Sequence, residues 1–279
     1  MTGPEYDHFC ALIGQRSGLV LDSGKTYLVA SRLEPIARAN GLADVSALLA
    51  LIKCGAPETL VRACVDAMAT HESLFFRDGT PFEHLERLVL PELAAARPAG
   101  QPLRILCAAC SSGQEPYSIA MLIQEQAGRL GGRKAEIIGA DMSEGILSKA
   151  RAGVYSSFEV QRGLSPERQA RWLTPQGAAF EMSPKIRGMV TFRRHNLLDG
   201  MTGMGTFDII FCRNVLIYFD APKKTQVLNA LSSALAPDGA LLLGSAESVM
   251  GLCDTLELQV GARGLYRRKG AGAAVARSA

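Results

Sequence analysis

The feature that most constrains the fold is an alternation that begins at residue 103. Short apolar runs at Leu103–Cys107, Ile137–Ala140, Val190–Phe192, Phe207–Cys212 and Ala240–Gly244 predict strands. Between them, Pro116–Gln126, Glu144–Arg151 and about Pro222–Leu235 read as helices. Strands that alternate with helices predict an α/β domain with a mostly parallel sheet covered on both faces. Leu256–Val260 and Leu265–Arg268, separated by Gly261-Ala262-Arg263-Gly264, predict a terminal hairpin. Residues 154–189 interrupt the alternation with Gly, Pro and isolated aromatics and read as a small insertion.

No strong strand precedes residue 103. Phe9, Leu12, Ile13, then Leu28, Leu33, Ile36, then Val45, Leu48, Leu49, Ile52 recur at helical spacing, so residues 1–90 predict a small all-helical domain. Arg97-Pro98-Ala99-Gly100-Gln101-Pro102 marks a boundary, giving a linker at 91–102, an α/β domain at 103–268 with the insertion at about 154–189, and a disordered tail at 269–279. The 279 residues suit about two domains. With 48% hydrophobic and 20% charged residues the chain is not intrinsically disordered. Its net charge of +3 is too small to make nonspecific nucleic-acid binding the default reading. No apolar run approaches the roughly 18 residues of a membrane span. Met1-Thr2-Gly3-Pro4-Glu5 lacks the basic start of a signal peptide, so a cytoplasmic protein is expected.

The seven cysteines, Cys10, Cys54, Cys64, Cys107, Cys110, Cys212 and Cys253, are odd in number and scattered, unlike a secreted disulfide framework. Cys107-Ala108-Ala109-Cys110 is formally C-x-x-C. No second such pair and no H-x₃₋₅-H accompanies it, so zinc lacks its four ligands and no metal is expected. Small side chains at the end of a strand, buried for packing, are the simpler reading.

In a doubly wound sheet, ligands sit at the carboxyl ends of the strands. The first strand runs into Ala108-Ala109-Cys110-Ser111-Ser112-Gly113-Gln114-Glu115-Pro116. A dinucleotide site calls for G-x-G-x-x-G against a pyrophosphate. One Gly among small residues, with no Lys after it, suits a nucleoside ligand without a pyrophosphate, for which S-adenosylmethionine is the common candidate. The second strand ends at Asp141, placed either to accept ribose hydroxyls or to cap the helix that follows.

Several motifs carry a resemblance to a known family. Residues 108–120 resemble the cofactor motif of the chemotaxis receptor glutamate methyltransferases, the CheR family. Phe207-Asp208-Ile209-Ile210-Phe211-Cys212-Arg213-Asn214-Val215-Leu216-Ile217-Tyr218-Phe219-Asp220 resembles that family's most distinctive motif. Thr70–Asp78, with Phe75-Phe76-Arg77-Asp78, is similar to its domain-junction motif N-x-T-x-F-F-R. His195-Asn196-Leu197-Leu198 and Gly244-Ser245-Ala246-Glu247-Ser248 match as well. The likeness runs from about residue 5 to 268.

The resemblance implies a Rossmann-like S-adenosylmethionine-dependent methyltransferase domain behind a small all-helical domain. Its activity would be transfer of methyl to glutamate carboxylates of chemotaxis receptors, leaving S-adenosylhomocysteine. It implies cofactor contacts at His71, Ser73, Arg77, Glu115, Asp141, Asn196, Leu197, Arg213 and Asn214, where His71 and Ser73 replace the family's Asn and Thr. It gives Arg77 and Tyr218 roles at the reacting centre, although Tyr218 after an apolar strand otherwise reads as a core aromatic. Glu247 is supporting only. The expected partners are the acidic methylation helices of receptor cytoplasmic domains, met by a monomer without membrane insertion or nucleic acid. Lys25, Arg32 and Arg38 place positive charge on a second helix that either faces this substrate or is an ordinary solvated face. A base-modifying methyltransferase would carry [DN]-P-P-[YF] where this chain has Arg213-Asn214-Val215-Leu216. A receptor-docking adaptor without transfer activity, or a methyltransferase acting on another signalling protein, are the other readings.

Overall fold

A computed structural model of the chain describes residues 2–98 and 100–270. The chain forms two compact units, one up to Thr70 together with Tyr218–Lys223, the other His71–Ile217 and the chain from Lys224 onward.

The first unit is built on α1 (Gly3–Ser17), α2 (Thr26–Ala39), α3 (Val45–Lys53) and α4 (Glu58–Met68). Thr2 and Glu5 form a capping box at the start of α1, and Gly18, at φ +81°, ends it. Asp44 caps α3, accepting from Ala47 N at 2.8 Å. Phe9, Ile13, Val29, Leu33, Leu48 and Cys64 are buried at helical spacing and make its core. Arg32 reaches from α2 to the last turn of α4, where Nη1 donates to the carbonyls of Ala67, Met68 and Ala69 at 3.2, 2.7 and 3.1 Å. Those carbonyls lack intrahelical donors, so the guanidinium serves as a C-cap.

The second unit opens with α5 (Thr80–His84), which continues through a π-helical turn at Leu85–Val89 into α6 (Leu90–Ala96). Then follow β1 (Leu103–Ala108), α7 (Gln114–Glu125), β2 (Ala135–Asp141) and α8 (Glu144–Ala152). The insertion comprises β3 (Val154–Ser156), α9 (Ser157–Gln161), α10 (Pro166–Trp172), β4 (Leu173–Gln176), β5 (Ala179–Met182) and α11 (Pro184–Arg187). The chain closes with β6 (Val190–Arg194), β7 (Phe207–Cys212), α12 (Ala221–Ala234), β8 (Leu235–Leu243), β9 (Leu256–Leu258) and β10 (Leu265–Arg268).

Seven strands form one sheet in the order β6-β2-β1-β7-β8-β10-β9. The first five are parallel, while β10 runs antiparallel to both β8 and β9. Its middle strands are mostly apolar, as burial on both faces requires; every residue of Phe207–Cys212 is buried, and the one charged residue among them, Asp208, is paired with Arg97. The insertion is a separate three-stranded antiparallel sheet, β3-β5-β4. The predicted strands, hairpin and insertion are therefore present.

The expected division at 90, with a linker at 91–102, is corrected. The helical unit closes at Thr70, and residues 90–96 are helix within the α/β unit. The Pro/Gly-rich segment is pinned rather than loose. Arg133 Nη1 donates to the carbonyls of Pro98 and Gln101, each at 2.9 Å. Of the tail expected at 269–279, Lys269 N donates to Thr255 O at 2.9 Å, and residues 271–279 lie outside those described.

Candidate functional site

Strand order reverses between β1 and β7, so the loops leaving β1, β2 and β7 flank the crevice where α/β sheets bind ligands. After β1 the chain turns through Ala109 at φ +59°, Ser111 at +51° and Gly113 at +92° before entering α7. Left-handed backbone at non-glycine residues is uncommon, and it clusters where surroundings hold it for a purpose. The five such residues among those described are Phe76, Asp78, Ala109, Ser111 and Asn214. All five fall in three of the motifs that carry the family resemblance, 70–78, 108–120 and 207–220.

Asp141 holds the first turn in place. Its Oδ2 accepts from Ser111 N at 2.9 Å and its Oδ1 from Ser143 N at 3.1 Å, and the residue is 7% exposed. The cap of α8 is supplied by Ser143, not by Asp141. A carboxylate offers about four acceptor positions, so two stay open for hydroxyls. Space here is tight. A Cβ on Gly139 would sit 2.7 Å from the Phe192 ring and 3.1 Å from the Cys110 sulfur. Cys107 and Cys110 are buried, and burial pushes both thiols well up. They are thus inert packing groups.

Arg213 is the hub of the charged residues. Its side chain is 2% exposed, and Nη1 donates to Glu115 Oε2 at 2.9 Å. Nη2 donates to the Arg77 carbonyl at 2.8 Å and to Asp78 Oδ2 at 2.7 Å, while Nε is buried without a partner. One guanidinium thereby ties the loop after β7 to the start of α7 and to the 71–79 segment. Burial raises the Glu115 carboxyl, and the Arg213 charge opposes that shift. Asp78 has no place among the sequence candidates; its position directly after Phe-Phe-Arg was the available signal.

Glu247 carries more than supporting weight. Its Oε1 accepts from Val215 N and Leu216 N at 2.9 and 2.8 Å, and its Oε2 from Asn214 N and Gly244 N at 2.9 and 2.7 Å. Four backbone N–H groups converge on one carboxylate, and Asn214, at φ +57°, makes the turn that aims them. A Cβ at Gly244 would lie 2.7 Å from Glu247 Oε2, which explains the glycine.

The other candidates are placed as follows. Arg77 is half-buried and donates from Nη1 to Glu72 O at 3.1 Å. His71 is half-buried, and its carbonyl accepts from Ser111 Oγ at 3.1 Å; Ser73 is also half-buried. Asn196 Oδ1 accepts from Leu198 N at 3.1 Å, and Leu197 is buried. Tyr218 belongs to the helical unit, where its carbonyl accepts from Val20 N at 2.9 Å. Of the expected basic helix, Lys25 precedes α2 and pairs with Asp22 at 3.0 Å, and Arg38 pairs with Glu34 at 3.2 Å. Arg32 is committed to capping α4.

These residues fit a nucleoside cofactor bearing an amino-acid tail. Asp141 keeps acceptor positions open at the end of β2, of the kind ribose hydroxyls need, and half-buried Arg77 is a cation of the kind that pairs with a carboxylate. Among the described residues no group of three or more His, Cys, Asp or Glu could hold a metal ion. No helix among them is long and apolar enough to cross a membrane.

The fold and these loops define a doubly wound α/β methyltransferase domain. Residues 4–69 match the family model described as CheR methyltransferase, all-alpha domain, and residues 71–263 match CheR methyltransferase, SAM binding domain. The chain belongs to the CheR methyltransferase family. It is 45% identical to a chemotaxis protein methyltransferase of Vibrio parahaemolyticus over 261 residues, covering 92% of this chain and 94% of the relative. It is 42% identical to chemotaxis protein methyltransferase 1 of Pseudomonas aeruginosa over 95% of this chain and 98% of that one. The Salmonella typhimurium chemotaxis protein methyltransferase is 32% identical, covering 93% of this chain and 88% of the relative.

Proposed function

We propose that this chain is the S-adenosylmethionine-dependent O-methyltransferase of glutamate side chains in the cytoplasmic domains of chemotaxis receptors, acting in the cytoplasm as a monomer. The observation that carries the reading is the convergence of Asp141 and the Glu115–Arg213–Asp78 cluster at the carboxyl ends of β1, β2 and β7 in a chain of this family. When bound, the cofactor supplies an electrophilic methyl on a sulfonium sulfur; a new O–CH₃ bond forms as S–CH₃ breaks, leaving the methyl ester and S-adenosylhomocysteine.

Asp141 holds the ribose and Arg77 the tail carboxylate. Glu115, Asn196, Leu197, Arg213 and Asn214 complete the cofactor site, with His71 and Ser73 at its edge. The acceptor glutamate has an ordinary pKa of about 4.3 and is ionised at neutral pH, so no residue has to remove a proton. Alignment and exclusion of water are what the protein contributes, and alignment alone is worth about 7–11 kcal/mol in well-oriented intramolecular reactions. Arg77 and Tyr218 act by positioning and by electrostatics, and the pH profile of the chemical step is expected to show no essential base titrating near neutrality.

The test pairs S-adenosylhomocysteine affinity by calorimetry with single-turnover transfer of labelled methyl to receptor cytoplasmic fragments. Tyr218→Phe is expected to bind as wild type does but to transfer about 100-fold more slowly, the loss typical of one transition-state hydrogen-bond donor. Arg77→Ala is expected to weaken both. Wild-type protein that leaves receptor fragments unlabelled, or labels them elsewhere than on base-labile glutamyl esters, overturns the reading.

A further inference from the structure

Arg77 is the one residue expected to serve both cofactor and substrate, yet its own side chain makes a single hydrogen bond to its own segment, to Glu72 O. What orients it is the backbone on either side. Phe76 at φ +48° and Asp78 at +67° flank it, and a bulky aromatic holds such a φ only where its surroundings impose it.

The surroundings come largely from the insertion. The Arg168 guanidinium, on α10, stacks 3.9 Å from the centroid of the Phe76 ring. It is fixed there by Glu125 at the end of α7, with Nη2 to Oε2 at 2.8 Å and Nε to Oε1 at 3.1 Å. Trp172, the chain's single tryptophan, donates to the same Glu125 Oε1 at 3.1 Å. Phe76 N also donates to Ser118 Oγ at 2.9 Å. One residue earlier, the Phe75 carbonyl sits where a Cβ on Gly163 would be, 1.8 Å away, and the Phe75 ring packs edge-on against Tyr155 at 5.0 Å. Tyr155 in turn donates to Ser112 O of the turn after β1 at 2.7 Å. The insertion thus grips both the segment that carries Arg77 and the turn that meets the cofactor.

We propose that Arg168 is a positioning residue for Arg77: clamped by Glu125 and stacked on Phe76, it holds the left-handed turn that presents the Arg77 side chain. The insertion is then a working part of the cofactor site, not only an appendage available to partners. This rests on the assignment of Arg77 to the cofactor proposed above.

The experiment is a double-mutant cycle on S-adenosylhomocysteine affinity, measured by calorimetry on the full chain with Arg168→Ala, Arg77→Lys and the pair. Arg168→Ala is expected to weaken binding about three- to tenfold, the range of a partly desolvated cation–π contact, with a lower ligand-free melting temperature from loss of the Glu125 pair but a cooperative unfolding transition retained. In the Arg77→Lys background the same substitution is expected to have almost no further effect, because its route to the ligand is already gone. A merely structural role would give the same loss in both backgrounds, and that result overturns the proposal. So does Arg168→Ala binding within twofold of wild type while Trp172 emission reports that the clamp has opened. Arg168→Lys, which keeps the charge beside Glu125 but not the planar stack, carries the same cycle if the alanine variant does not fold, and is expected to restore binding only in part. Wild-type protein that binds no S-adenosylhomocysteine removes the functional reading itself, a result distinct from either of these.

Discussion

Two carboxylates decide how the loops at the carboxyl ends of the parallel strands are held. Asp141 and Glu247 both accept backbone N–H groups rather than side chains, so each sets the path of a loop. A buried N–H left unpaired costs about 1–3 kcal/mol. Glu247→Gln replaces one acceptor oxygen with an amide NH₂ that faces the Asn214 and Gly244 N–H donors at under 3 Å. The expected outcome is a loss of about 2–4 kcal/mol by urea denaturation, together with weakened S-adenosylhomocysteine binding. An unchanged urea midpoint would show that the loop after β7 holds itself. Asp141→Asn keeps one acceptor for Ser111 or Ser143 but loses the charge that the proposed hold on ribose hydroxyls relies on; cofactor affinity is expected to fall about tenfold by calorimetry with the fold retained. Neither role was fully legible. The strand-end place of Asp141 was readable, whereas nothing in Gly244–Ser248 says that its glutamate collects donors from a loop thirty residues away.

At the scale of elements, the basic residues near α2 do work that a charge pattern does not reveal. Arg32 closes the end of α4, so Arg32→Ala is expected to cost about 1–3 kcal/mol in urea denaturation, since three carbonyls lose a charged donor. A charge reversal there tests stability as much as attraction to an acidic receptor. Arg38→Glu, at an exposed position, is the cleaner probe of that attraction. The link from α7 to α10 has a pH signature. Burial alone would raise the Glu125 carboxyl, but the bonds from Arg168 and Trp172 outweigh it and hold it below its ordinary 4.5. A carboxylate with a lowered folded pKa contributes stability that is fully present above the unfolded value and lost as pH falls through the folded one. Glu125→Gln is therefore expected to destabilise at pH 7 and to flatten the acid side of the stability curve below about pH 4.5, checked by thermal melts across that range. A parallel shift at every pH would contradict the assignment.

Across the whole molecule, the seven thiols give a direct check on both units. Cys54 is exposed, while Cys64, Cys107, Cys110 and Cys212 are buried, and burial pushes Cys64 up to about 11 and the other three well above the usual thiol range. A thiol reagent is expected to modify Cys54 rapidly in native protein, half-buried Cys10 more slowly, and these four only on unfolding. Mass spectrometry of the labelled peptides reads the outcome, and early labelling of Cys107 or Cys110 would contradict their packing role. What the sequence by itself determined was the alternation of strands and helices, the insertion, the terminal hairpin and the family to which the motifs belong. Those signals are local, because periodicity, turn chemistry and contiguous motifs are written within a few residues of each other. Only the tertiary structure decided where the helical unit ends, since a proline-rich stretch looks like a linker whether or not an arginine such as Arg133 pins it. It alone decided that Arg213 joins Glu115 to Asp78, and that Arg168 reaches Phe76. Such pairings join residues 35 to 135 positions apart across separate elements, and no one-dimensional pattern records which side chains meet once the sheet has closed.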